Sequence, residues 1–144
     1  ALQLPIRHLS PALVQPILKA CRWHVRAWCE KNQAYRDFVL SRFRGEFNFE
    51  GVSTQTAQED ERWQTRLDVI IQPDPRLSEA QKRIIELDYS MENGQRTLTT
   101  RAALVSYLLQ RLRIDLYQNT AEAQQIILTP ESRKQVAAYL PQRV

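Results

Sequence analysis

Residues 22–44 most strongly limit what this chain can fold into, because polar and apolar side chains alternate along them with a period of two. Such alternation, in a stretch rich in aromatic and β-branched residues, predicts two half-buried β-strands at residues 22–29 and 35–43. The five residues between them, 30–34, have the length of a hairpin loop. The sequence therefore predicts an antiparallel hairpin at the centre of the first third of the chain.

The hairpin carries five arginines and one histidine, which is unusual for half-buried strands. Planar guanidinium groups bind phosphate and carboxylate oxygens two at a time, and a histidine can donate a hydrogen bond or stack on a base. We therefore predict an anion-binding site on this hairpin. Its candidate residues project from one face of the first strand and from one face of the second, and they are Arg22, His24, Arg26, Arg36 and Arg42.

The aromatic residues of the hairpin allow two interpretations. Trp28 is expected on the same face as the basic residues of the first strand, where it could offer a stacking surface for a base. Alternatively, Trp28 and Phe38 are core residues, and the arginines are paired with Asp37 or Glu30. Trp23, Val25, Val39 and Phe43 are expected in the core under either interpretation.

The charge distribution also indicates an anionic partner for the first third of the chain. The net charge is +4 over 144 residues. Residues 1–48 hold eight Lys and Arg against three Asp and Glu, whereas residues 49–144 hold twelve against thirteen. The basic excess therefore coincides with the hairpin, which favours nucleic acid or a nucleotide as the partner, although a solvated strand face would look the same.

Motifs of the common enzyme classes are missing from the sequence. The three glycines are too far apart to form a phosphate loop. The two histidines and two cysteines, His8, His24, Cys21 and Cys29, do not have the spacing of a zinc site. We therefore expect neither catalysis nor a metal or cofactor. The chain begins at Ala1 without a methionine, has no apolar run of 18 residues and has no signal peptide, so we expect a cytoplasmic fragment of a longer protein.

Residues 51–62 are polar and predict a linker, after which the pattern changes to alternating strands and helices. The predicted order after residue 62 is β-α-β-α-β-α, which is typical of a small α/β sandwich. Ser78 and Gln81 form a capping-box pattern that predicts the start of a helix with Ile84, Ile85 and Leu87, together with Tyr89, in its apolar stripe. Thr129 followed by a proline predicts the start of the last helix.

Several segments of the chain resemble WYL-domain transcriptional regulators. RWHVRAW at residues 22–28 resembles the core motif of the WYL domain, and RDFVLSRF at residues 36–43 resembles its next strand. Both are most similar to a subgroup that is often encoded beside phage-defence genes. VIIQPDPRLSEAQKRIIELDYSMENG and RAALVSYLLQRL resemble the C-terminal extension that often follows this domain.

The resemblance implies an α+β chain with a WYL domain at residues 1–50, a linker at 51–62 and a dimerising C-terminal extension at 63–144. The WYL domain is an Sm-like β-barrel, here lacking its first strands. His24 stands at the tyrosine of the family's motif and Arg42 at the arginine that ends the next strand. Arg26 and Arg36 match basic positions of the defence-associated subgroup.

The function implied by the resemblance is that of a ligand-sensing, dimerising part of a transcriptional regulator. Its ligand would be nucleic acid or a nucleotide, and it would control an N-terminal helix-turn-helix domain that binds DNA and is absent from these residues. Two alternatives stay open. One is a free-standing Sm-like module that binds single-stranded nucleic acid. The other is a structural dimerisation domain with a non-functional pocket, since Ala12 stands where the family has a histidine and the turn at residues 17–21 lacks the family's glycine.

Overall fold

The computed structural model describes residues 15–19, 22–46, 53–114 and 122–140. The chain divides into two compact units, Ala1–Gln64 and Thr65–Val144. By sequence, residues 6–9 could also form a short strand, but they lie outside the described residues. Each unit contains one small antiparallel sheet, so the expectation of an α+β chain is confirmed.

The sheet of the first unit has three strands, joined in the order β1-β2-β3. They are β1 at Gln15–Lys19, β2 at Arg22–Cys29 and β3 at Ala34–Val39. The predicted hairpin is β2 and β3, which pair antiparallel through a four-residue turn. Gln33 in this turn has φ of 48°, and the Asn32 N–H donates to the carbonyl oxygen of Cys29 at 3.1 Å. The described strands form an open sheet, so they do not confirm an Sm-like barrel.

Two details of the predicted hairpin are wrong. The second strand ends at Val39 rather than Phe43, and residues Leu40–Arg42 form a 3₁₀ turn instead. Trp23 was expected in the core but is 51% exposed. The core of this sheet face is formed by Val25, Ala27 and Cys29, because the buried part of β2 begins only after its first two residues.

The described part of the predicted linker, residues 53–62, belongs to the first unit and has its own structure. Ala57–Glu59 form a 3₁₀ turn with a capping box between Thr56 and Glu59, and helix α1 follows at Glu61–Gln64. The Tyr35 hydroxyl donates to the carbonyl oxygen of Thr56 at 2.8 Å. The segment is therefore fixed to β3 rather than being a free connection.

The second unit has the predicted alternating order of strands and helices. Its elements are β4 at Arg66–Pro73, α2 at Glu79–Asp88, β5 at Arg96–Arg101, α3 at Val105–Arg111, β6 at Ile126–Leu128 and α4 at Pro130–Ala137. The sheet order is β5-β4-β6, with both pairs antiparallel. The central strand β4 supplies Leu67, Val69 and Ile71 to the core, each at most 3% exposed.

The two predicted helix starts of the second unit are confirmed. The Ser78 hydroxyl accepts from the Gln81 N–H, and the Gln81 side chain accepts from the Ser78 N–H, so two otherwise unpaired amides are satisfied. Thr129 caps α4 by accepting from the Ser132 N–H, with proline at the first helical position. Both helix starts could be predicted because each cap is formed by residues only three positions apart in the sequence.

The apolar stripe predicted for α2 is correct at Ile85 and at Tyr89, which is half-buried against the core, but not at its other two positions. Ile85 is buried in the core, whereas Ile84 is 59% and Leu87 80% exposed. With Ile85 pointing into the core, Ile84 is turned about 100° away from it and Leu87 about 160° away around the helix axis. Ile84 and Leu87 instead lie together on the outer side of α2.

Asp74 connects the end of β4 to the chain that leads into β6. Its carboxylate is 1% exposed and accepts from the Arg76 guanidinium at 2.6 Å and from the Gln124 N–H at 2.8 Å. The side-chain hydrogen bond from Arg76, together with the backbone N–H groups of Arg76 and Gln124, outweighs the opposing effect of burial. These contacts hold the pKa of Asp74 well below its usual range.

We expect Asp74→Asn to destabilise the second unit at neutral pH by about 1–3 kcal/mol, because the buried charge-assisted hydrogen bonds are weakened. Since the folded-state pKa is depressed, the stabilisation is present above the unfolded-state value near 4 and is lost as pH falls. The wild type should therefore lose roughly 1 kcal/mol more than the variant between pH 5 and pH 3. Denaturant titrations followed by far-ultraviolet circular dichroism measure both effects.

Glu79→Gln is the matched control, because Glu79 pairs with Lys82 at 2.9 Å while its side chain is 81% exposed. Exposed pairs of this kind contribute little to stability. Equal stability of Asp74→Asn and Glu79→Gln at neutral pH would show that the Asp74 contacts do not hold the fold together.

Candidate functional site

The strand register sorts the predicted site residues onto two faces of the first sheet. Side chains directly opposite each other on paired strands lie on the same face. Arg26 is opposite Asp37, whereas Arg36 is opposite Ala27. Because side chains alternate along a strand, Arg36 lies on the opposite face from Arg26 and the other predicted basic residues of β2.

Arg26 is buried and held by two carboxylates. Its Nε donates to Asp60 Oδ2 at 2.6 Å and its Nη2 to Asp60 Oδ1 at 2.9 Å, while Nη1 donates to Asp37 Oδ1 at 3.0 Å. The side chains of Arg26, Asp60 and Asp37 are only 7%, 6% and 16% exposed. The alternative in which a hairpin arginine pairs with Asp37 is confirmed for Arg26. We call these three residues the buried ion cluster.

The electrostatics of the buried ion cluster keep the guanidinium charged. Burial alone lowers the pKa of Arg26, but the hydrogen bonds and negative charges of Asp60 and Asp37 outweigh it and leave the pKa raised. Asp60 also accepts from the backbone N–H of Trp63 at 3.2 Å. Asp60 therefore connects the sheet to residues 53–64, the segment that ends with helix α1. No local signal in the sequence identifies Asp60 as the partner, since it lies 34 residues from Arg26.

His24 is also buried, at 7% exposure, in the middle of β2. Its Nδ1 lies 3.0 Å from the carbonyl oxygen of Arg22, within hydrogen-bonding distance. The ring is opposite Val39 of β3. His24 is thus the first buried residue of β2 and directly follows the two exposed residues that begin the strand.

Three of the exposed basic residues of the hairpin lie at one end of it. Arg22 begins β2, and Arg42 lies in the 3₁₀ turn that follows β3, so the antiparallel pairing brings both to the end opposite the hairpin turn. Arg44 follows, and its Nη1 donates to the carbonyl oxygens of Ser41 and Phe43 at 2.8 Å. Among the described residues, neither Arg22 nor Arg42 forms a salt bridge. These three arginines together with Trp23 are called the basic end below.

Trp23 is the exposed aromatic residue of the basic end, and the sequence pattern assigned it to the core instead. Alternation shows which face a residue occupies but not how far along the strand the core extends. Trp28, the aromatic residue predicted for stacking, is half-buried and in edge contact with Tyr35, with ring centroids 5.0 Å apart. Trp23 is therefore the more accessible ring at this end of the hairpin, and alternation along β2 places it on the face opposite Arg22.

Other classes of site find little support in the described ranges. They contain no group of three or more His, Cys, Asp or Glu side chains placed to hold a metal ion. No helix within them is long and apolar enough to cross a membrane. The free thiol of Cys29 is buried and donates to Asn32 Oδ1 at 3.2 Å, as expected of a small core residue.

The second unit is similar to a known family of dimerisation domains. Residues 66–136, which run from the first residue of β4 almost to the end of α4, match the family described as the BrxR transcriptional regulator, C-terminal dimerization domain. The match covers the complete β-α-β-α-β-α order described above. The WYL resemblance of the first unit stays a prediction, since the match does not extend to it.

The similarity to individual proteins is longer and includes the hairpin unit. The chain is 38% identical over 131 residues to the DNA-binding transcriptional repressor CapW of Pseudomonas aeruginosa, which is 90% of this chain and 42% of that protein. It is 37% identical over 121 residues to CapW of Escherichia coli, which is 84% of this chain and 40% of that protein. The chain therefore spans about two fifths of the length of these relatives.

We expect Arg26→Ala to destabilise the first unit by about 3–5 kcal/mol, because it leaves the carboxylates of Asp60 and Asp37 buried without a partner. Arg22→Ala is the matched control, since it removes an exposed arginine from the same strand and should change stability by less than about 0.5 kcal/mol. Tryptophan fluorescence during denaturant unfolding reports this unit selectively, because Trp23, Trp28 and Trp63 all belong to it. Equal unfolding midpoints for the two variants would contradict a structural role of the ion cluster.

Proposed function

We propose that this chain is the dimerising and ligand-sensing part of a transcriptional repressor. The observation that carries the proposal is its similarity, along 90% of its length, to a protein named as a DNA-binding transcriptional repressor. The match of residues 66–136 to a dimerisation domain assigns self-association to the second unit in this proposal. The first unit then remains as the sensing part.

DNA binding in this proposal belongs to a part of the repressor beyond these 144 residues. The relatives are more than twice as long as the matched segment, and their name includes DNA binding. A dimer supports this role, because a two-fold symmetric protein matches a palindromic operator. The proposed cellular site of action is the cytoplasm, with regulation rather than catalysis as the activity.

The proposed ligand is a nucleotide or a short nucleic acid, bound at the basic end of the first unit. Arg22 and Arg42 are exposed there with no salt-bridge partner among the described residues. Trp23 is exposed at the same end, on the other face of β2, and offers a ring for stacking. Arginine forks bind phosphate oxygens, and an accessible indole stacks on bases of any sequence. This chemistry supports an anionic, aromatic ligand over a neutral or cationic one.

The five residues predicted for the ligand site take different roles in this proposal. Arg22 and Arg42 contact the anion directly. His24 and Arg26 are buried further along β2 and support the strand that presents Arg22 to the ligand. Arg36, on the opposite face, contributes to the positive potential that attracts the ligand.

Fluorescence polarisation with labelled short single-stranded DNA, RNA and cyclic nucleotides tests the ligand proposal. We expect Arg42→Ala to weaken binding about tenfold or more, because one charge-assisted hydrogen-bond partner of the phosphate is lost. The chain should stay folded, since Arg42 is exposed. Arg66→Ala removes an exposed arginine from the second unit and serves as the control. Full affinity in Arg42→Ala would contradict a ligand site at the basic end.

A second candidate function is a module that binds single-stranded nucleic acid along several phosphates. The exposure of Arg22 and Trp23 on opposite faces of the same end of β2 favours it, because a strand that crosses this end reaches both. Repeating the titration over a salt series distinguishes a sensor of single nucleotides from a module that binds an extended strand. A strand held through Z phosphates gives a logarithmic salt slope of about −0.7Z, so an extended strand loses affinity steeply and a single nucleotide does not. Absence of binding to every probe would favour a structural dimerisation domain.

A further inference from the structure

The outer side of α2 is an apolar surface that the fold of the second unit leaves exposed. Ile84 is 59% and Leu87 80% exposed, and they lie three residues apart on the same side of the helix. Ile85, on the inner side, already supplies the contact of α2 with the core. Together they form a small contiguous apolar patch that the core of this unit does not use.

Charged residues border this surface on both sides. Arg83 precedes Ile84 and Asp88 follows Leu87, and both side chains are exposed. Neither forms a salt bridge with another described residue. The exposed side chains of α2 thus form a row, Arg83, Ile84, Leu87 and Asp88, that another molecule can contact.

This pattern is self-complementary in a parallel pair of helices. In heptad terms, Ile84 occupies position a and Leu87 position d, the combination that favours two parallel strands. Arg83 then occupies position g and Asp88 position e, which flank the apolar seam and form salt bridges between helices. A two-fold axis parallel to the helix would pair Ile84 with Ile84, Leu87 with Leu87, and each Arg83 with the Asp88 of the second copy.

We propose that α2 is a self-association surface on which a second copy of this chain docks through Ile84 and Leu87, with Arg83 and Asp88 paired across the contact. The inference rests on the proposed dimerising function and names the surface that carries it. Its position supports it further, because α2 lies inside residues 66–136, the segment that matches a dimerisation domain. Such an interface is isologous, as expected for a two-fold dimer.

Sedimentation equilibrium of the 144-residue chain tests the apolar part of this surface. We expect a two-chain species for the wild type and an increase in its dissociation constant of at least about tenfold for Leu87→Asp and Ile84→Asp. Leu40→Asp is the control, since Leu40 is a 46% exposed aliphatic residue in the first unit, and this variant should remain a dimer. Circular dichroism verifies that all variants fold, as expected for surface positions.

The charged residues test the orientation of the pair. Arg83→Asp and Asp88→Arg should each weaken the dimer by bringing like charges together, and the double variant should restore it. Wild-type-like dimerisation of Leu87→Asp would overturn the α2 surface while leaving dimerisation itself intact. A wild-type chain that stays monomeric would overturn the dimerising function as well. Failure of the double variant to recover would overturn the parallel pairing.

Discussion

The ion pairs of Arg26 with Asp60 and Asp37 hold the described part of the first unit together. A buried guanidinium costs several kcal/mol unless its charge and hydrogen bonds are compensated, and here two carboxylates compensate it. Asp60 makes the contact long-range, because it ties the segment before the second unit to the central strand of the first sheet. The placement of residues 53–64 against the sheet therefore depends on one arginine of the hairpin.

This interaction divides the arginines of the hairpin by role. Arg26 is used internally, whereas Arg22 and Arg42 remain exposed at the basic end, next to Trp23. The second unit shows the same separation among its apolar residues. Ile85 packs in the core, whereas Ile84 and Leu87 are exposed on the outer side of α2. The exposed arginines of the basic end and the exposed apolar residues of α2 therefore lie in different units of the chain.

The sequence was most informative wherever the signal was local. Period-two alternation located the hairpin, and the hydroxyl caps at Ser78 and Thr129 located two helix starts. Burial was less predictable because it depends on distant partners. The pairing of Arg26 with Asp60 spans 34 residues, so spacing alone could not show it. Trp23 was misplaced for a related reason, since alternation assigns a face but not the extent of the core.

The most direct test of this account is an NMR spectrum of the arginine Nε–H groups in the 144-residue chain at neutral pH. The Arg26 Nε–H, buried and 2.6 Å from Asp60, should give a slowly exchanging signal that disappears in Arg26→Lys. The same group of Arg22 should exchange rapidly with water because it is exposed. An Arg26 signal that exchanges as fast as that of Arg22 would contradict the buried ion cluster and the division of roles built on it.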